Sequence, residues 1–186
     1  SVFLYTDSAS SRAGIANITR KTAMGKIAII GLGGSGGYVL DLMAKTHAGE
    51  VHLFDGDDFL QHNAFRAPGA ASLQVLEEKL KKVEYFARVY GQMRRGIFAH
   101  PDYVTDENID QLAGFNFVFI CVDKPAVRKL LSEYMTKARI PFVDAGMELE
   151  LLEEGQCLVG ACRVTLSTPE KSDHFPKHVS LEDGIV

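Results

Sequence analysis

Cysteine is scarce in this sequence: Cys121, Cys157 and Cys162 are the three in 186 residues. The number is odd and the spacing sparse, so no disulfide framework is available and a reducing compartment such as the cytoplasm is expected. Positive charge is not in excess either, with 20 Lys and Arg against 24 Asp and Glu, a net charge of −4 and a pI near 5.9. Without a basic field to gather phosphate backbones, no nucleic-acid partner is expected. No apolar run approaches the roughly 18 residues of a membrane-spanning helix, and no signal-peptide pattern opens the chain, so a soluble protein without a membrane partner is expected. Internal repeats and low-complexity tracts are absent. The chain opens on Ser1 rather than Met and ends on the polar stretch 167–186, as a piece cut from a longer protein would.

What the chain has is 46% hydrophobic and 24% charged residues, which suits one globular domain with its own core. In an N-terminal segment over residues 1–25, Arg12–Met24 reads as a short helix stopped by Gly25. Strands and helices then alternate. Lys26–Ile30 is a short apolar run, Ser35–Thr46 has helical spacing at Val39, Leu40 and Met43, and Val51–Asp55 is a second apolar run. These close a βαβ unit of about 30 residues, whose crossover is parallel and right-handed. Leu73–Met93 repeats apolar residues every three or four positions and reads as one amphipathic helix. Ile97–Ala99 and Phe117–Val122 read as strands, with Thr105–Leu112 as a short capped helix between them. Pro125–Lys137 and Pro141–Asp144 are the next helix and strand, and Glu148–Leu152 and Gln156–Leu166, joined by Glu153-Glu154-Gly155, form a hairpin pattern. The expected fold is therefore α/β, a Rossmann-like, doubly wound and mainly parallel sheet over residues 26–166. It has helices on both faces and an antiparallel C-terminal edge, and a polar tail, disordered or cut short, occupies 167–186.

Gly31-Leu32-Gly33-Gly34-Ser35-Gly36-Gly37 falls where the first strand passes into a helix. Glycine there lets the backbone approach a ligand and adopt positive φ, and a phosphate-bearing ligand would meet the free N–H groups of the helix N-terminus. A tight packing turn would use the same residues. No Gly-Lys-Ser/Thr follows, which excludes a Walker-type loop. Asp55 ends the second strand 19 residues after Gly36, near the offset of about 20 at which an acid grips ribose hydroxyls in dinucleotide folds. Capping a loop is its other reading.

The run Asp55-Gly56-Asp57-Asp58-Phe59-Leu60-Gln61-His62-Asn63-Ala64-Phe65-Arg66 resembles, without a gap, the Asp-x-Asp, Asn-x-x-Arg pattern of the E1/ThiF/MoeB adenylyltransferases. The resemblance extends over roughly residues 12 to 150. It implies ATP as ligand, held by Gly31, Gly33, Gly34 and Gly36, by Asp55 on the ribose with Asp57 in support, and by Asn63 and Arg66 on the phosphates. A surface ion pair is the alternative for Arg66. The family's phosphate lysine is matched best by Lys82, with Lys79 and Lys81 as competitors, because 70–81 is longer than the usual link. Asp123 in Val122-Asp123-Lys124-Pro125 resembles the family's Mg²⁺ ligand, with helix capping as its other reading, while Arg128 is read as a structural salt bridge. Arg12, in Arg12-Ala13-Gly14-Ile15, resembles an arginine that compact homodimeric members reach across to the partner's ATP, with Arg20 as fallback.

The resemblance implies adenylation of the C-terminal glycine carboxylate of a ubiquitin-like or sulfur-carrier protein, by a homodimer, with Arg66, Lys82, Asp123 and Arg12 catalytic. The paired Cys-x-x-Cys motifs of zinc-binding members are missing, so no zinc is expected, and the cysteines read as inert core thiols. An NAD-dependent oxidoreductase and an E1-like subunit without activity are the alternatives.

Overall fold

A computed structural model describes residues 1–152 and 157–181. Its centre is a six-stranded sheet in the order β3-β2-β1-β4-β5-β6. The strands are β1 (Lys26–Ile30), β2 (Glu50–Phe54), β3 (Ile97–His100), β4 (Phe117–Ile120), β5 (Phe142–Leu152) and β6 (Cys157–Ser167). β1 to β5 are parallel neighbours and β6 runs antiparallel to β5. This is the expected Rossmann-like α/β sheet with its antiparallel edge.

The central strands are apolar on both faces because both are covered. Ile27, Ile29, Val51 and Leu53 pack into one core beneath α3 (Gly34–Ala44) and α6 (Lys82–Tyr90). Ala28, Ile30, Phe54, Val118 and Ile120 pack into the other beneath α7 (Pro125–Ala138). At about 25 cal/mol per Å² of apolar surface removed from water, these two layers are the main stabilising term.

Several boundaries differ from the sequence reading. The helix expected over Arg12–Met24 is broken into α1 (Ser8–Arg12), α2 (Ala16–Thr19) and a 3-10 turn (Arg20–Thr22), because Gly14 adopts φ +68° between the first two. Leu73–Met93 is likewise two helices, α5 (Leu73–Glu77) and α6, since Lys79 sits at φ +52° and Lys81 is extended. α4 (Gln61–Ala64) is a single turn. Thr105–Leu112 keeps a 3-10 turn at Ile109–Leu112, with the Thr105 N–H bonded instead to the Asn108 side chain. Pro141–Asp144 and Glu148–Leu152 belong to one strand, β5, and the expected turn Glu153-Glu154-Gly155 lies outside the described residues. In the segment read as a polar tail, α8 (Phe175–His178) sets Phe175 into the core, 4% exposed, with Val179 beside it at 3%.

Two buried polar features escaped the sequence reading. Arg94, 1% exposed, lies between α6 and β3 and has no ion-pair partner among the described residues. Its guanidinium donates to the carbonyls of Ala44 (3.4 Å), Thr46 (3.3 Å), Gly49 (3.2 Å) and Ala48. Ala44 is the last residue of α3, where helical carbonyls lack partners, and Thr46, Ala48 and Gly49 follow it in the link to β2; the positive charge suits that end of the helix dipole. The second feature is His52 on β2, which is buried, with its Nδ1 2.8 Å from His100 Nε2 and its Nε2 3.1 Å from Glu50. Glu50 can only accept, so His52 Nδ1 accepts in turn from His100. Burial, reinforced by the charge of Lys26, lowers the pKa of both imidazoles.

Both features have measurable consequences. Arg94→Met should leave several buried carbonyls unpaired and cost about 3 kcal/mol, read as a melting-point fall of about 10 °C in a thermal scan; an unchanged melting point would mean the carbonyls find other donors. For the histidines, a folded pKa below the unfolded value of about 6.5 means that the unfolded chain binds more protons as pH drops. Their contribution is therefore complete above about pH 6.5 and is lost below it. Melting points measured between pH 8 and pH 5 should fall in that lower window, and less steeply in His52→Gln.

Candidate active site

The glycine loop sits at the carboxyl end of β1, where parallel α/β sheets bind ligands. Its glycines have different jobs. A Cβ on Gly31, which has φ +89°, would lie 2.7 Å from the Cys121 carbonyl oxygen, and one on Gly36 would lie 1.8 Å from the Gly31 carbonyl oxygen. These two glycines let β1, α3 and the chain leaving β4 close on one another. Gly33, in contrast, would present its Cβ to open space, and Gly34 would come no closer than 3.9 Å to Arg66. The loop is therefore packed on its Gly31 and Gly36 side and open on its Gly33 side.

Asp55 follows β2 and is 7% exposed. One carboxylate oxygen accepts from the Leu32 N–H of the glycine loop at 2.6 Å, and the other accepts from the Asp57 N–H at 2.9 Å. Loop capping and ligand binding are thus compatible, because each oxygen retains a further lone pair. Lys82, the first residue of α6, is buried with its ammonium 2.6 Å from Asp57 and 3.7 Å from Asp55. Of the three competing lysines it is the one beside Asp55: Lys81 pairs with Asp58 at 2.8 Å and bonds the Gly56 carbonyl at 2.9 Å, and Lys79 is exposed.

Tyr103, which no sequence spacing marked, donates its hydroxyl to Asp57, and its ring lies where a Gly56 side chain would go, 2.8 Å from an added Cβ. The hydrogen bonds from Lys82 and Tyr103 lower the Asp57 carboxyl pKa, while the hydrogen bond to Asp57, with burial and the carboxylate charge behind it, pushes the Tyr103 phenol up to about 12.

Gly33, Gly34, Asn63 and Arg66 line one narrow crevice together with Leu32, Phe59 and Phe86. Asn63 is 7% exposed and its side-chain oxygen accepts from the Leu60 N–H at 2.8 Å. Arg66 is exposed, and among the described residues its guanidinium has no ion-pair partner, so the alternative of a surface ion pair is not realised.

Asp123 stands three residues beyond Ile120, the strand end that pairs with Ile30. It is exposed, and among the described residues it bonds to nothing; Lys124, not Asp123, is the capping residue of α7. Arg128 makes the expected salt bridge, 2.7 Å to the fully buried Asp144. Arg12 is remote from this cleft. Its segment is anchored where strands begin, through Leu4 N–H to Met93, Arg95 N–H to Val2 and His47 N–H to Thr22, at the opposite end of the sheet from the glycine loop. Arg12 itself is exposed at the end of α1, while Arg20 bonds back to Ala16 and Asn17.

Of the cysteines, Cys121 is half-buried beside Gly31 and Gly36 of the glycine loop, where burial and the Asp144 charge push its thiol up to about 12. Cys157 and Cys162 are exposed, which corrects their reading as core thiols. They stand on the β6 ribbon, where neither strand face is covered.

The comparisons with known proteins bear on this arrangement. The model of the ThiF family matches residues 9–176. Among curated proteins, tRNA threonylcarbamoyladenosine dehydratase of Escherichia coli (strain K12) is 26% identical over 129 residues, 64% of this chain and 45% of that protein. Adenylyltransferase and sulfurtransferase uba4 of Pyricularia oryzae is 28% identical over 134 residues, 72% of this chain and 26% of that protein. The chain thus spans less than half the length of either relative. The crystal structure of E. coli MccB with ATP superposes with a TM-score of 0.68 at 17% identity, covering 90% of this chain and 51% of that one, a likeness of fold. With a match running through almost its whole length, the chain belongs to the ThiF family.

Proposed function

We propose that this chain is the nucleotide-binding core of an adenylyltransferase, which activates the C-terminal glycine carboxylate of a ubiquitin-like or sulfur-carrier protein as an acyl-adenylate and releases pyrophosphate. The observation that carries the reading is the crevice lined by Gly33, Gly34, Asn63 and Arg66, where a Cβ on Gly33 would meet nothing within 4 Å and Arg66 has no ion-pair partner among the described residues. ATP suits these residues: backbone N–H groups approach it without a Cβ in the way, Asp55 has lone pairs left for ribose hydroxyls, and Arg66 has no competing carboxylate among the described residues. Uba4 is by name an adenylyltransferase, and MccB has been crystallised with ATP, which supports the nucleotide. The dehydratase relative acts on tRNA, but a net charge of −4 speaks against that substrate here.

The attacking carboxylate has a pKa near 3.5 and is ionised at neutral pH, so the reaction asks for no general base. Its barrier is the repulsion between two anions and the charge that gathers on departing pyrophosphate. Arg66 offers a cation that the phosphates can engage, and binding them is what would order its guanidinium. Lys82 is already shared between Asp57 and Asp55, so it supports the phosphates by moving its ammonium from Asp57 toward them. Asp55 and the glycine loop orient the nucleotide so that the α-phosphorus faces the incoming tail. Asp123 is an unpaired carboxylate at a strand end, a donor suited to Mg²⁺ that arrives with the phosphates and keeps most of its other ligands as water and phosphate oxygens. When bound, Mg²⁺ would neutralise phosphate charge.

Isotopic ATP–pyrophosphate exchange with candidate carrier proteins ending in Gly-Gly tests the reading, with tRNA and free amino acids as comparison substrates. Exchange with the carrier alone supports it; exchange with tRNA or a free acid instead overturns the substrate assignment. Asp55→Ala should weaken ATP binding in calorimetry by roughly two to four orders of magnitude, as two charge-assisted hydrogen bonds at about 1.5–3 kcal/mol each are lost. Asp123→Ala should retain ATP binding and lose Mg²⁺-dependent exchange. Arg12 is remote from its own chain's cleft, so any catalytic part it takes is in a partner subunit. Chains carrying Arg12→Ala and Asp123→Ala, each inactive alone, should then recover part of the exchange when mixed. An active Arg12→Ala homodimer would remove it from the mechanism.

A further inference from the structure

Ile30 pairs with Ile120, Ile120 with Asp144 and Asp144 with Thr165, so one row of residues crosses the ends of β1, β4, β5 and β6. β1 and β4 stop at this row, whereas β5 and β6 run on together as a two-stranded ribbon. Side chains alternate along it. Met147, Leu149 and Leu151 take one face and are exposed, while Asp144, Gly146 and the residue opposite Gly146, which is Arg163, take the other. Arg163 therefore stands one step beyond the strand ends, on the side of Asp144 and α7, and no sequence spacing marks it.

Its guanidinium is fixed on one side. Nη2 donates to Asp144 at 2.7 Å, and a Cβ on Gly146 would come within 2.7 Å of the same nitrogen, so the group lies against bare backbone of β5. Asp144 is fully buried and has a second partner in Arg128, also at 2.7 Å. The other two nitrogens of Arg128 donate to the carbonyls of Val122 and Ser180. Those of Arg163 are unused: among the described residues its Nε is enclosed without a partner, Nη1 makes no hydrogen bond, and 34% of the side chain is exposed. Two guanidiniums around one carboxylate leave a positive charge in excess, and half-enclosed donors without acceptors cost stability until a partner arrives. The partner that fits is an anion.

We propose that Arg163 binds the carboxylate that attacks ATP. The inference rests on the adenylation reading and supplies a cation on the substrate's side of the nucleotide. In-line displacement puts the attacking oxygen and the departing pyrophosphate on opposite sides of the α-phosphorus. Arg66 and Lys82, assigned to the phosphates, come from the chain between β2 and β3, on one side of β1, and Arg163 comes from β6, on the other. Its guanidinium lies over β5, two strands or about 10 Å from β1, a gap that a phosphate and a carboxylate fill in a row. A guanidinium at that place offsets the repulsion between the two anions and, being held by Asp144, sets the direction of approach. One carboxylate oxygen bonds to the phosphorus as pyrophosphate leaves with its electron pair, and no proton moves.

The test is ATP–pyrophosphate exchange at varied concentrations of a Gly-Gly carrier protein, for wild type, Arg163→Gln, Arg163→Lys and Gly146→Ala, with ATP affinity taken from calorimetry and folding from the melting point. Arg163→Gln should lose about ten- to a hundredfold in kcat/KM for the carrier, the worth of one charge-assisted contact, while its Kd for ATP stays at the wild-type value. Arg163→Lys keeps the charge without the fork and should recover part of that loss. Gly146→Ala keeps every charge but displaces the guanidinium, so it should lose carrier kcat/KM with ATP affinity unchanged. Should Arg163→Gln fail to fold, the other two variants decide by the same readouts. Wild-type kcat/KM in the variants overturns the proposal, and so does a loss that appears in ATP affinity, which would make Arg163 a phosphate ligand. A wild type that binds ATP and exchanges with no carrier overturns the adenylation reading and this inference with it, whereas full exchange in both wild type and the variants overturns this inference alone.

Discussion

A side chain at position 36 would put its Cβ 1.8 Å from the Gly31 carbonyl oxygen, and one at position 31 would strike the carbonyl of Cys121. Three elements, the end of β1, the start of α3 and the chain leaving β4, meet at this point with no room for a methyl group. The first turn of α3 is seated by that contact, and the open backbone at Gly33 points away from it. The rest of the site is built outward from this seat. Asp55 reaches back to the Leu32 N–H, Lys82 reaches to Asp55 and Asp57, and Tyr103 closes the row over Gly56.

Charge in the molecule is managed in two ways. Where it is enclosed, each charged group has several partners: Arg94 is surrounded by carbonyls, and Asp144 is held between Arg128 and Arg163, both at 2.7 Å. Removing one member of such a set leaves the others buried and unpaired, which is why these groups serve structure. Around the cleft, by contrast, Arg66 and Asp123 stand without partners among the described residues, opposite in sign and on separate loops. Stability gains nothing from leaving them unpaired, whereas a ligand that carries both phosphate and a cation gives each a partner.

Much of this was legible in one dimension. The strand-glycine-helix junction, the acid that follows β2 and the Asn-x-x-Arg spacing each rest on local geometry, because a βαβ unit returns its second strand beside its first at a nearly constant length. The two-helix break near Lys79 was not legible. Apolar periodicity persists across it, and the positive φ there is adopted by a lysine and not by a residue that advertises a turn. Tyr103 was hidden for another reason: it contributes to the site from a loop 46 residues after Asp57, and no spacing rule spans that distance.

The sequence alone determined the class of fold, the place of the glycine loop and that Asp55 follows β2 beside it, since these depend on periodicity and on residues close in the chain. The tertiary structure decided which lysine stands beside Asp55, that Arg66 and Asp123 have no partners among the described residues, that Arg94 and the His52–His100 pair are enclosed, and that Arg12 is anchored at the far end of the sheet. It also decided that β5 and β6 outrun the sheet and leave an apolar face uncovered. Hydrophobic alternation says which side of a strand is apolar, but whether that side is covered depends on what the rest of the chain brings against it.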